Sequence, residues 1–186
     1  MIRILSPRLM IKLDIKKAYD SVKWDCLEKL LYALHFTPHL VKILMACVST
    51  ISYYIKFNGV LHPPFQAIRG LRQGDPLSHY LFILIMEYLN RFVQILWSNP
   101  SFSPHPRCKE LKIINLMFAN DLIFFCNGKQ NSVTIVFNTF IQFSDILGLI
   151  MNAAKSNVYY GGGSQQLKDE IYDTLHIPEG NCLSNI

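Results

Sequence analysis

Two apolar runs joined through a short Asn-Asp step constrain this chain more than any other feature. Leu111-Lys112-Ile113-Ile114-Asn115-Leu116 comes first, then Met117-Phe118-Ala119-Asn120-Asp121-Leu122, then Ile123-Phe124-Phe125. Branched and aromatic residues on both flanks predict two strands, and Asn120-Asp121 predicts the tight turn between them. A carboxylate at such a turn is held on a rigid scaffold, where a metal ion can use it. The turn carries one carboxylate and one amide, whereas a two-metal site favours two carboxylates.

The rest of the chain sets the context for that hairpin. Its 186 residues are 51% hydrophobic and 17% charged, a balance that argues for a packed core and against disorder. The net charge of +5 mildly favours an anionic partner such as nucleic acid. Cys26, Cys47, Cys108, Cys126 and Cys182 are widely spaced and form no Cys-x-x-Cys pair, so reduced intracellular thiols are expected rather than a disulfide framework or a zinc site. His35 and His39 have helical metal-pair spacing, but Pro38 lies between them and no third ligand accompanies them. Arg3 and Arg8 interrupt any signal-like apolar region. Glu87, Asn90 and Arg91 sit within the most apolar segment, Leu81 to Leu96, so a buried helix is expected there and no membrane span.

Leu9 to Ile15 alternates and ends on a carboxylate, Asp14, as a central strand would. Apolar residues recur at helical spacing from Trp24 to Phe36, and Pro38 opens a second helix to about Val48. Tyr53 to Phe57 and the segment after Asn58-Gly59 predict a hairpin. The loop Arg69 to Asp75 leads into a long helix from Pro76 to about Trp97, and Asn99 to Arg107 is a connecting loop. A helix from about Ser132 to Leu147 ends at Gly148, and Val158-Tyr159-Tyr160 is a short strand. Gly161-Gly162-Gly163 is expected as a hinge or linker before a short polar helix. The order predicts an α+β fold, helices on one face of a mostly antiparallel sheet.

Several residues could carry chemistry. Asp14 and Asp121 end or turn strands that could lie side by side, where two carboxylates repel each other unless divalent cations neutralise them. Capping a helix and serving a β-turn are the bland alternatives for the same two residues. Gln73 offers a donor and an acceptor, Arg72 a fixed cation, and Gly74 close backbone approach to a ligand. Tyr19 could form an aromatic floor beneath a sugar, and Lys155 could donate a proton to a departing phosphate, though a solvated surface lysine is the default.

The order of these residues closely resembles the palm of reverse transcriptases, in the non-LTR (LINE-type) retrotransposon branch and its plant-like elements. Lys12 to Trp24 matches the first palm motif of that family, and Leu71 to Phe82 the second, with His79 where a proline is usual. Phe118-Ala119-Asn120-Asp121 stands in the place of the F/Y-A-D-D box. Gly148-Leu149, Asn152 and Lys155-Ser156 match the motif that follows, and Ile177 to Asn181 is similar to a downstream segment.

The resemblance implies a role for each matching residue. Asp14 would ligate both Mg2+ (or Mn2+) ions with the backbone carbonyl of Ile15, and Asp121 would be the second acid of the box. Tyr19 would face the ribose of the incoming nucleotide, Arg72, Gln73 and Gly74 would position nucleotide and template base, and Lys155 would be the general acid. RNA template, DNA primer and deoxynucleoside triphosphates would be the partners, and a nuclear location is compatible. Residues 1–163 would be a partial reverse transcriptase domain and 164–186 a segment downstream of the palm, with most of the fingers and the thumb outside the chain. Asn120 replaces a principal metal ligand of the family, so a catalytically impaired retrotransposon remnant is expected. The alternative is a non-catalytic nucleic-acid-binding module that keeps the palm fold.

Overall fold

The computed structural model describes residues 6–118 and 121–180. Its centre is strand β1 (Arg8–Lys16), whose residues alternate between half-buried and buried. Leu9, Ile11, Leu13 and Ile15 point into the core, while Arg8, Met10, Lys12 and Asp14 occupy the other face. β1 pairs antiparallel with β7 (Asp121–Asn127) on one side, and β6 (Asn115–Phe118) pairs outside β7. Its other side is shared. β9 (Asn157–Gly161) pairs with Arg8 to Lys12, and β8 (Ile150–Met151) with Ile15 and Lys16.

The helices cover only the apolar face. A four-residue turn of helix, α1 (Ala18–Ser21), follows β1, and then come α2 (Trp24–Ala33) and α3 (Pro38–Ser49). Pro38 takes the first helical position of α3, and the Thr37 side chain caps it by accepting from the Leu40 N–H. His35 lies beyond α2 with a left-handed backbone (φ 62°), so His35 and His39 do not share a helix. The long helix α4 (Pro76–Gln94) is capped by the Asp75 carboxylate, which accepts from the Leu77 N–H at 2.8 Å. A 3-10 turn continues it to Ser98, giving a span that by length and composition alone is apolar enough to cross a membrane. Leu81, Ile85, Leu89 and Val93 instead bury one stripe of it in the core.

Helix α5 (Gln130–Leu147) completes the layer, with Phe140 meeting Phe124 of β7 edge-on at 6.0 Å. Gly148 ends it in the left-handed conformation (φ 74°). The last helix, α6 (Gln165–Leu175), packs on α5 through buried Ile171 and Leu175. The segment after it returns to β9, where Gly180 N–H donates to the Val158 carbonyl at 2.8 Å.

The structure moves one expected boundary and extends one expected hairpin. Leu111 and Lys112 lie in a turn and Ile113 and Ile114 are irregular rather than in a strand, and β6 starts only at Asn115. The hairpin at Asn58-Gly59 is present, with both residues at positive φ, as β3 (Lys56–Phe57) and β4 (Val60–Leu61). A second pair extends it: β2 (Ser52–Tyr53) with β5 (Phe65–Gln66).

Candidate active site

The register of β1 against β7 places Asp14 directly across from Asp121. Residues paired in this way project to the same side of an antiparallel sheet, and here that side is the one the helices leave bare. Asp14 does not perform the helix-capping task open to it. The residue preceding α1 is Lys17, and Asp121 begins a strand. Asn120, the altered position beside Asp121, lies outside the described residues.

Asp14 is held by its backbone. Its N–H donates to Ser156 Oγ at 3.1 Å, and its carbonyl accepts from the Asn152 N–H at 2.8 Å. Ser156 is fully buried and donates in turn to the Asn152 carbonyl at 2.8 Å. These bonds fill the short interval on β1 between the end of β9 pairing and the start of β8 pairing. The 3-10 turn Ala153–Lys155 that joins them packs on β1, and Lys155 itself is exposed. Ile15 pairs with Met151 and buries its side chain, so only its backbone is available to a ligand.

Asp121 has a cation close by. Lys12, two residues before Asp14 and on the same face, brings Nζ to 3.2 Å from Asp121 Oδ2. The two side chains are 36% and 40% exposed, so water screens the pair. Among the described residues no group of three or more His, Cys, Asp or Glu could hold a metal ion. The facing pair offers two carboxylates, oxygen donors that suit a hard cation able to keep several of its waters.

A cleft of about 640 Å3 lies at the start of α4, lined by Tyr19, Gln73, Gly74 and His79 among others. Tyr19 stacks on Phe82 with ring centroids 4.6 Å apart, and its hydroxyl shares a 3.2 Å hydrogen bond with His79 Nδ1. The loop is tied to α1 by two backbone bonds of 2.8 Å, Gly70 N–H to the Val22 carbonyl and Leu71 N–H to the Tyr19 carbonyl. Trp24 Nε1 donates to the Gly70 carbonyl at 2.7 Å. Arg72 is exposed and is not among the residues lining the cleft.

The structure thus brings Asp14 together with Asp121, and Tyr19 together with Gln73 and Gly74. Sequence reasoning missed Lys12 and gave Ser156 no task. The signal for Lys12 was present, since a residue two before Asp14 must share its face. Nothing local marks Ser156, because its bond to Asp14 crosses 142 residues.

The fold is that of a polymerase palm, and it covers part of a complete polymerase. Apo telomerase of Candida tropicalis lacking its C-terminal domain superposes with a TM-score of 0.64 at 16% identity, over 87% of this chain and 32% of that one. Telomerase of Candida albicans in complex with a telomeric RNA fragment gives 0.61 at 16% identity, over 86% and 28%. The sequence makes the assignment specific. The model of the reverse transcriptase (RNA-dependent DNA polymerase) family matches residues 3–175, and the chain belongs to that family.

Its relatives are proteins of non-LTR retrotransposons. The chain is 28% identical over 114 residues to a Pol polyprotein of the type-1 element R2 of Popillia japonica, which is 61% of this chain and 18% of the relative. It is 28% identical over 148 residues to that of the type-2 element R2DM of Drosophila melanogaster, 77% of this chain and 13% of the relative. A transposon TX1 protein of Xenopus laevis is 36% identical over 77 residues, 41% of this chain and 6% of the relative. The chain therefore spans less than a fifth of the length of these relatives.

Proposed function

We propose that this chain is the palm of an RNA-directed DNA polymerase of the non-LTR type, with catalysis impaired at Asn120. The observation that carries the reading is the pairing of Asp14 with Asp121 on the bare face of the sheet. In this reading residues 1–163 are the palm portion and 164–186 a segment that follows it. RNA template, DNA primer and deoxynucleoside triphosphates are the partners, within the cell and in contact with its genome.

Asp14 and Asp121 would hold Mg2+ (or Mn2+), with the Ile15 carbonyl beside them. Such ions, when bound, activate the primer hydroxyl and stabilise the leaving oxygen of a phosphoryl displacement. Tyr19, kept upright by Phe82 and His79, sets the floor on which the sugar of a nucleotide rests and leaves little room for a 2′-hydroxyl. Gln73 and Gly74 line the same cleft and orient base and triphosphate. Arg72 adds positive charge at its margin, and Lys155 is the proton donor to pyrophosphate. The amide of Asn120 brings no negative charge to the carboxylate pair, and hard cations favour carboxylates. A loss of about a hundredfold or more in rate corresponds to roughly 3 kcal/mol of transition-state stabilisation.

Primer extension on an RNA template with Mg2+ or Mn2+ tests the reading, run on the chain beside Asn120→Asp. The substitution is expected to raise synthesis by at least about a hundredfold. Strong template-dependent synthesis by the unaltered chain would overturn the impairment. A second reading, a non-catalytic nucleic-acid-binding module, is favoured by the Lys12 ammonium that already pairs with Asp121. It requires salt-dependent binding to an RNA–DNA hybrid with no synthesis by either form.

A further inference from the structure

The bare face of the sheet carries a second polar site, at the end of β1 away from Asp14. A cavity of about 240 Å3 opens there, lined by Arg8, Met10, His105, Tyr159 and Gly161 among others. Arg8 begins the strand whose seventh residue is Asp14, so roughly 20 Å separates this cavity from the carboxylate pair.

Two strands and a loop build it. Gly161 pairs with Arg8, and a Cβ on Gly161 would come within 3.2 Å of Arg8 Nε. The missing side chain leaves the guanidinium room to lie across β9. Tyr159 pairs with Met10 and shares its face, and its ring is backed by Gly180, where any side chain would collide with it. The loop after α4 closes the other side. Asn127 N–H donates to the Ser103 carbonyl at 3.0 Å, and Pro104 bridges to Cys126. His105 then meets Phe125, the β7 partner of Met10, edge-on at 6.1 Å.

The charge at this site is uncompensated. No Asp or Glu lines the cavity. The ion pairs among the described residues use Lys12, Arg91 and Lys168, so neither Arg8 nor Arg107 has an acidic partner there. Burial, and then the Arg8 and Arg107 guanidiniums, hold the His105 imidazole below its ordinary pKa. Its Nδ1 accepts from the Arg107 N–H at 3.2 Å, which leaves the proton of the neutral ring on Nε2 as a donor.

Size and wall select the ligand. The volume lies below the roughly 300–1,000 Å3 of drug-sized sites, so the occupant is small. Guanidinium and imidazole donors suit the oxygens of a phosphate. Two cations without a counter-ion suit a dianion better than the single charge of a phosphodiester. Tyr159 and Met10 offer an apolar wall for a flat ring carried on that phosphate.

We propose that this cavity binds a small phosphomonoester bearing a ring, with Arg8 and His105 holding the phosphate and Tyr159 packing on the ring. The site shares no residue with the carboxylate pair or the Tyr19 cleft, so it stands whether or not the palm polymerises.

The test is calorimetric titration of phenyl phosphate into the whole chain, without metal or nucleotide, with the His105 ring followed by NMR. Saturable binding that moves the His105 resonances is expected. Arg8→Met should weaken it at least about tenfold and His105→Phe at least about threefold. Lys42→Ala, which removes an exposed cation on α3, should change it less than about twofold. Inorganic phosphate should bind at least about threefold more weakly, for want of the ring. Unfolding curves that match the parent verify that the variants fold, and the NMR readout needs no substitution. Absence of saturable binding, or binding that leaves His105 unmoved, overturns the proposal. So does an equal loss in Lys42→Ala, which would reduce the attraction to net charge, or equal affinity for inorganic phosphate. Displacement of phenyl phosphate by an RNA oligonucleotide without terminal phosphates also overturns it, by making nucleic acid the occupant. This titration and primer extension share no ligand, so either can fail alone.

Discussion

Asp14 and Asp121 stand opposite each other on adjacent antiparallel strands, on the face of the sheet that, among the described residues, no helix covers. Cross-strand neighbours of this kind have their Cβ atoms roughly 5 Å apart. Two negative charges at that spacing repel, and the protein supplies one compensating cation of its own, Lys12.

Replacing that cation separates structure from function. Lys12→Met should change unfolding free energy by less than about 1 kcal/mol, since the pair is screened by water. It should also tighten Mn2+ binding, read by electron paramagnetic resonance, because the ion no longer competes with an ammonium. Weaker Mn2+ binding in the variant would show that Asp121 is not part of a cation site.

Ser156→Ala strikes the clamp on Asp14. It removes a buried hydroxyl that accepts from Asp14 N–H and donates to Asn152. Leaving those groups without partners should cost about 1–3 kcal/mol in urea unfolding. Mn2+ affinity should fall with it, as Asp14 loses its fixed position; stability lost without any change in Mn2+ affinity would confine the clamp to a structural role.

Gly70→Ala tests the loop at the cleft. The backbone there has φ +93°, and an added Cβ would lie 2.8 Å from the Asp20 carbonyl oxygen. Both effects oppose any side chain, so the substitution should destabilise by more than about 1 kcal/mol. The Tyr19 cleft should loosen, seen as weaker nucleotide binding in a fluorescence titration.

Cys126 gives a pH prediction. Burial pushes its thiol from 9.0 up to about 12. Above pH 9 the unfolded chain releases this proton while the native protein retains it, so the unfolded state binds fewer protons and stability falls as pH rises. The decline runs from about pH 9 to about 12 and should be absent in Cys126→Ala, after correction for that variant's own loss of packing. Native protein should alkylate at exposed Cys47 long before Cys126.

Much of the scaffold was legible because its signals are local. Pro38 and Pro76 open helices, Gly148 closes one, and the alternation of Leu9 to Ile15 marks a strand buried on one side. The facing of Asp14 and Asp121 could be inferred only as a possibility, since pairing between distant strands is a property of the whole sheet. Leu111 to Ile114 has the composition of a strand but forms a turn and an irregular stretch, and β6 begins only at Asn115. Lys12 and Ser156 escaped notice because charge and hydroxyl groups acquire their tasks only from neighbours that the fold brings near.

The anchoring of Asp14 also bears on how the protein is made. Its strand is synthesised before every strand it pairs with, β7, β8 and β9, and its clamp is a serine 142 residues later. Contacts so distant in the chain close late and slowly. The nascent strand must therefore wait, apolar on one face and unpaired, until β7 has been made. A chain halted before residue 150 would include every helix from α1 to α5 and the β7 partner of Asp14, and still lack the Asn152 and Ser156 bonds that fix Asp14.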